Sequence, residues 1–329
     1  MRVAVVGCGG AGAQHIRAYQ GLADVTLVGV CDVDTGRARR QAEATGARAY
    51  GDTAAMLAAE KPELVSVCTA EYGHVEVAIQ ALRAGCHVFC EKPMAHSVEM
   101  AERMVETAQE VGRVLGVDYN YRHIPVFHTL WEEIDRGSFG DVLLVNITAH
   151  AFCYHHSIDL IRFLFGQVVE VCASINDLQS QRNYAWHSPD AFLYVPSLAA
   201  ATIFRMRSGA AVVLTASRLR DLGDTMLDLE VIGTRMRVAL RSLPVSDVRP
   251  RQVEAWPRSL DGTTRFGLDA DGSSFSLGDS FRASITAFVR ALQAGEPVPT
   301  DGSAGLDVLR VEQAVVQAYR LGTTVRLLG

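Results

Sequence analysis

No apolar run in this 329-residue chain reaches the roughly 20 residues that a membrane span requires. A signal-peptide layout is missing too, because Met1-Arg2 leads straight into a short strand-like run and then glycines. There is no basic excess. The formal net charge of −6 gives no electrostatic reason to hold nucleic acid or an anionic membrane. Internal repeats and low-complexity tracts are absent. The cysteines, seven in all, do not form an even set. Cys8, Cys31, Cys68, Cys90 and Cys172 lie in or beside apolar strand-like runs, so they are expected to be buried reduced thiols in a cytoplasmic protein, with no disulfide scaffold. With 49% hydrophobic and 21% charged residues, the chain has the composition of a folded globular protein, and its length suggests two domains.

The first 120 residues alternate short β-rich runs with helical segments. Strands are expected at Val3–Val6, Val25–Cys31, Leu64–Thr69, His87–Cys90 and Val114–Tyr119. Helices are expected at Ala13–Leu22, Thr35–Thr45, Val75–Ala84 and Ser97–Val111, the third closed by Gly85. Alternation of this kind means right-handed βαβ crossovers and a doubly wound parallel sheet. Past residue 121 the pattern changes. A helix at Ile124–Arg136 precedes longer strands suited to antiparallel pairing, at Val142–His150, Val168–Ile175, Leu198–Met206, Ala210–Leu219, Met226–Ile232 and Met236–Leu240. Ser208-Gly209 and Gly233-Thr234 fit tight hairpin turns. One helix, Ile158–Leu164, interrupts these strands, and two more close the chain near Ser280–Ala294 and Leu306–Tyr319. The stretch 241–278, rich in Pro, Ser, Gly and Asp, reads as long surface loop.

The expected architecture is therefore an α/β domain over 1–121 and an α+β domain over 122–329 built on a large open, mostly antiparallel sheet. Few charges fall in the strands at 198–219, and both their faces carry apolar residues. Either a second subunit or the 241–278 loop covers the open face, and the subunit is the simpler cover. A homodimer or homotetramer through this sheet is the expectation.

Gly7, Gly9 and Gly12 form G-x-G-x-x-G directly after the first strand and before a helix. The first glycine permits the tight turn, the second lets the backbone, with Gly10 and Ala11, approach a pyrophosphate, and the third lets helix and strand pack closely. The anion then rests on the helix N-terminus. Asp32, about 20 residues on at the end of the second strand, stands where a carboxylate accepts hydrogen bonds from an adenosine ribose. Its charge favours NAD over NADP, although Arg37, Arg39 and Arg40 soften that preference if they are not simply solvated. Glu91-Lys92-Pro93 follows a further strand, at the sheet edge where ligands bind. A lysine there either hydrogen-bonds a substrate oxygen and exchanges a proton as hydride moves, or is a surface lysine before a loop proline.

These motifs resemble the glucose–fructose oxidoreductase / inositol dehydrogenase / MocA family of sugar and cyclitol dehydrogenases. The similar stretches are VAVVGCGGAGAQH at 3–15, VGVCDVD at 28–34, VSVCTAEYGHVEVAIQALRAGCHVFCEKPMA at 65–95, YNYRHIP at 119–125, HSIDLIRFLFG at 156–166 and GLDVLRVEQAVVQAYRLGTTV at 305–325. The resemblance implies a Rossmann domain and a substrate-binding, oligomer-forming second domain. It also implies that Lys92 is catalytic, in a Lys-Pro link often cis in this family, and that Thr69, His74, Glu91 and Pro93 line the cofactor. His156 stands where the family carries its catalytic histidine, with Asp159 either orienting it or touching substrate. His15 resembles a packing residue. Tyr121 and Arg122 either line the substrate cleft or, for the arginine, form an interdomain ion pair.

One departure stands out. The family has an aspartate four residues before its catalytic histidine, and here that position is Phe152, in a shortened loop. Lys92 and His156 then work without it, or His155, Tyr154 or a residue elsewhere takes its place. A metal held by His155, His156 and Asp159 is not expected, since hydride transfer needs none. The reading is an NAD-dependent oxidoreductase acting on a secondary alcohol or ketone of a sugar, cyclitol or amino-sugar (glycoside). The alternatives are a cofactor-binding sensor without catalysis and an imine-type reductase.

Overall fold

The computed structural model describes residues 1–176, 199–217, 226–243, 252–257 and 275–327. They form two compact units, Met1–Asn120 with Phe281–Leu309, and Tyr121–Ser280 with Arg310–Gly329.

In the first unit, strands β1 (Arg2–Val6), β2 (Thr26–Cys31), β3 (Arg48–Tyr50), β4 (Leu64–Val67), β5 (His87–Cys90) and β6 (Leu115–Val117) form one parallel sheet in the order β3-β2-β1-β4-β5-β6. Helices α1 (Gly10–Gln20), α2 (Thr35–Thr45), α3 (Thr53–Glu60), α4 (Glu71–Arg83) and α5 (Val98–Glu110) supply the crossovers. The strands are apolar because a parallel sheet is buried on both faces, and Val3, Val5, Val30, Leu64 and Phe89 are all fully buried. Three helices start on side-chain caps, Asp34 for α2, Asp52 for α3 and Ser97 for α5. Helix α1 has no side-chain cap on its Gly9 N-cap. The order of strands reverses at β1 and β4, which puts the crevice beyond their carboxyl ends. The late segment Phe281–Leu309 completes this core, with Phe288 stacked on Phe89 at 4.4 Å.

The second unit holds α6 (Pro125–Asp135), α7 (Tyr154–Phe165) and an eight-stranded sheet. Its strands are β7 (Val142–His150), β8 (Val168–Asn176), β9 (Ala199–Met206), β10 (Ala211–Ser217), β11 (Leu227–Gly233), β12 (Met236–Leu243), β13 (Gln252–Pro257) and β14 (Val325–Arg326). They run in the order β13-β12-β11-β7-β10-β9-β8-β14, and only the β7–β10 pair is parallel. The hairpins fall at Ser208-Gly209 and Gly233-Thr234, and Gly209 carries a φ of 94°. Side chains alternate on β9: Ala200, Thr202, Phe204 and Met206 are buried, whereas Ala199, Ala201, Ile203 and Arg205 are exposed. Helix α7 packs on β7 and β10. Two further helices, α8 (Leu277–Ala294) and α9 (Gly302–Leu321), close the chain.

Four expectations need correction. Cys172 is exposed, because it sits on the outward row of β8 opposite Ile203, while its neighbour Val171 points inward. The 241–278 stretch is not all loop: β12 runs on to Leu243 and β13 follows, while 244–251 and 258–274 lie outside the described residues. The expected strand ends at 198 and 218–219 also lie outside them. The sequence reading omits β3 and α3, since β3 has only three residues with no buried side chain to give it an apolar signature. Helix α7 begins at Tyr154, four residues before its expected start, because its first turn is Tyr-His-His-Ser rather than aliphatic.

Candidate active site

The turn after β1 is compressed against β4. A Cβ on Gly7 would lie 2.2 Å from the Cys68 carbonyl oxygen, and one on Gly12 would lie 1.9 Å from the Gly7 carbonyl oxygen. Gly9 and Gly10 have the opposite surroundings, with nothing within 4 Å of an added Cβ. So two glycines serve internal packing, and two leave open the backbone that leads into α1.

Asp32 lies just past β2 and is nearly buried. Its Oδ2 accepts from the Cys8 N–H at 2.8 Å, and its Oδ1 accepts from the Asp34 N–H at 2.8 Å and from Arg37 at 3.1 Å. Burial by itself would raise its pKa, but these donors outweigh it and hold the carboxyl below the usual range, so Asp32 is ionised at neutral pH. Arg37 is thus a partner of Asp32 rather than a purely solvated residue. Val33, next in the chain, is 92% exposed.

Beyond β4 and β5 the loops are tied together. His74 is 1% exposed. Its Nδ1 lies 2.8 Å from the Pro93 carbonyl oxygen and its Nε2 3.1 Å from that of Thr69. Burial keeps its pKa below the ordinary histidine range. The Lys92-Pro93 bond is cis. Glu91 accepts from the Lys92 N–H at 3.2 Å and pairs with His15 at 3.2 Å. His15 is therefore more than a packing residue: it also meets Asp118 at 3.2 Å and Ser66 at 3.0 Å.

In the second unit, His156 is buried in the first turn of α7. Its ring stacks on Tyr121 with centroids 3.9 Å apart and planes 7° from parallel. The Tyr121 hydroxyl donates to the sulfurs of Cys153 (3.2 Å) and Met226 (3.0 Å), and burial holds it protonated well above the usual tyrosine range. Tyr121 is 3% exposed and backs the His156 ring. Arg122 binds Asp159 through two bonds, Nε at 2.8 Å and Nη2 at 2.5 Å, and lies over the Phe163 ring. That pair lies within the second unit. Asp159 is fully buried against the arginine.

His155 donates from Nδ1 to Glu312 on α9, and the Tyr154 hydroxyl is 2.8 Å from Thr202. Both are buried. Phe152 is 58% exposed in the three-residue 3-10 turn that joins β7 to α7. Among the described residues, the one group of three ligand-type side chains brought close together is His15, Glu91 and Asp118.

Residues 1–119 match the family model described as "Oxidoreductase family, NAD-binding Rossmann fold", and residues 107–327 match its partner, "Oxidoreductase family, C-terminal alpha/beta domain". The chain belongs to the glucose–fructose oxidoreductase / inositol dehydrogenase / MocA family. Relatives of this oxidoreductase include D-glucoside 3-dehydrogenase of Escherichia coli, 39% identical over 155 residues that span 46% of this chain and 44% of that protein. Inositol 2-dehydrogenase 2 of Saccharopolyspora erythraea is 26% identical over 92% of this chain and 96% of its own length. Among solved structures, levoglucosan dehydrogenase in complex with NADH shares the fold, with a TM-score of 0.85, 19% identity and coverage of 100% and 99%.

The first unit of this oxidoreductase fits NAD on its own geometry. The open backbone at Gly9 and Gly10 and the first turn of α1, which no side chain caps, would take the pyrophosphate. The ionised Asp32 would take the ribose hydroxyls.

Proposed function

We propose that this oxidoreductase moves a hydride between NAD(H) and a secondary carbinol of a sugar, cyclitol or glycoside, with Lys92 and His156 as its proton-exchanging residues. One observation carries the reading: Lys92 follows β5 at the same carboxyl edge of the sheet as the Gly7–Gly12 turn and Asp32, so the cofactor loops and a lysine share one crevice. Bound NAD supplies the hydride acceptor. Lys92 hydrogen-bonds the reacting oxygen and exchanges its proton, and His156, its ring held by Tyr121, acts as the second acid/base group. Asp159 and Arg122 hold α7 in place as a buried ion pair.

Phe152 favours a glycoside over a bare polyol. An exposed aromatic ring offers apolar surface to the C–H face of a pyranose, and it occurs in a turn whose neighbours Ala151 and Cys153 are buried. The test is absorbance at 340 nm with NAD and a panel of glycosides, free sugars and cyclitols. Turnover on methyl glucosides is expected to exceed turnover on myo-inositol by about tenfold, a transition-state difference of roughly 1.4 kcal/mol. Silence across the panel with tight NADH binding would replace this reading with a cofactor-binding sensor, which the missing carboxylate at Phe152 would then explain.

The chain is further read as a cytoplasmic homo-oligomer that associates through the outer face of its second sheet. Support comes from the exposed Ile203 on that face and from seven cysteines that are all unbridged. Light scattering of the wild type is expected to give at least twice the chain mass, and Ile203→Lys to shift it towards the monomer. A monomeric wild type would remove the interface.

A further inference from the structure

Asp118 lies one residue past β6. It is fully buried, as are His15 of α1 and, nearly so, Glu91 beyond β5. The His15 Nε2 lies 3.2 Å from Glu91 Oε1 and 3.2 Å from Asp118 Oδ2, so one imidazole edge faces two carboxylates. Each remaining polar atom is also engaged. His15 Nδ1 meets the Ser66 hydroxyl at 3.0 Å, Asp118 Oδ1 accepts from Ser284 of α8 at 2.6 Å, and Glu91 Oε2 accepts from the Lys92 N–H. Two carboxylates share a dry site only with a counter-charge or with a proton held between them. Here the counter-charge is the His15 imidazolium: burial opposes it, but Cys68, Asp118 and Glu91 together hold its pKa well above the usual histidine value. Burial and the Glu91 charge raise the Asp118 carboxyl, whereas His15 and Lys92 keep Glu91 low. His74 faces Glu91 from α4, Tyr19 shares the Ser66 hydroxyl, and the Cys68 and Cys90 thiols also lie against the cluster.

We propose that His15 and Asp118 are positioning residues that act through Glu91: the buried carboxylate–imidazolium–carboxylate chain fixes the Glu91-Lys92-Pro93 turn and sets the electric field at the Lys92 ammonium. This rests on the reading of Lys92 as the proton-exchanging group, but its test does not need turnover. The chain has only two lysines, Lys61 and Lys92. Lys61 is exposed at the end of α3 and serves as an internal reference.

The wild type and two variants, His15→Gln and Asp118→Asn, are labelled near pH 8.5 with limiting acetic anhydride, and the Lys92:Lys61 ratio is read by mass spectrometry. Asp118→Asn removes a negative charge, which eases deprotonation of a neighbouring ammonium, so the ratio rises by about threefold or more. His15→Gln keeps an N–H donor and removes a positive charge, so the ratio falls by a similar factor, about threefold. Opposite signs from two near-isosteric changes are not what a purely structural role would give, and either variant alone supplies a sign if the other fails to fold. Ratios that stay at the wild-type value, or move in the same direction, would overturn the proposal. A stoichiometric divalent cation in the purified protein would overturn it as well. If the ratios move as stated while no sugar or glycoside is turned over, the proposed reaction fails and the positioning role stands.

Discussion

Lys92→Met is expected to lower kcat by roughly 10³-fold or more while changing the NADH dissociation constant by less than about threefold. Methionine matches the length and apolar stem of lysine and removes only the ammonium. The site tolerates the exchange, because Lys92 is half-buried and the fixed points of its turn belong to other residues. Glu91 stays tied to His15, and the Pro93 carbonyl stays beside His74. The Gly7–Gly12 turn and Asp32 lie on other loops of the same sheet, so cofactor affinity has no reason to move. A group that hydrogen-bonds the reacting oxygen and exchanges its proton matters most in the transition state, so the loss falls on kcat and on kcat/KM alike. Single-turnover absorbance at 340 nm and NADH fluorescence titration measure the two halves separately. Near-normal turnover by the variant would remove Lys92 from the chemistry. A large loss of NADH affinity would instead make it a cofactor-binding residue.

What is legible in the sequence is what depends on near neighbours. The Gly7–Gly12 turn, its strand, its helix and Asp32 fall within about 30 consecutive residues of one βαβ unit, so spacing alone locates them. The heptad-free alternation of β9 and the glycine hairpins at 209 and 233 are local signals too, and they place the second sheet. Residues whose roles depend on distant partners are not legible in this way. Asp118 acquires its meaning from Ser284, 166 positions on, and His155 from Glu312, 157 positions on. Tyr121 gives no sign in the sequence that Cys153 and Met226 hold its hydroxyl and His156 its ring. His15 looks like packing because one buried histidine in a helix carries no sign of the two carboxylates it meets. The burial that hides these groups from solvent also removes any compositional trace of them, since a buried Asp and an exposed Asp look alike in a string of letters.

Gly12→Ala and Gly9→Ala are expected to fail in different ways, and the difference separates folding from recognition. A methyl at position 12 would lie 1.9 Å from the Gly7 carbonyl oxygen and 2.9 Å from its carbon, both backbone atoms of a turn that is itself pressed against Cys68. No side chain can swing aside, so α1 must move away from β1. Overpacking of this kind costs about 3 kcal/mol or more, and NADH binding should be lost with the stability. At Gly9 the added methyl meets nothing within 4 Å, and the residue's φ of −75° suits any amino acid. The protein should therefore keep its melting temperature. The methyl would instead occupy the space through which a pyrophosphate reaches the backbone at the start of α1, so NADH affinity should fall by roughly tenfold or more. Thermal unfolding with and without NADH reads both effects. If Gly9→Ala binds NADH as the wild type does, the dinucleotide does not approach the turn at Gly9. A Gly12→Ala variant that is as stable as the wild type would mean that the close contact between Gly7 and Gly12 is not what holds strand and helix together.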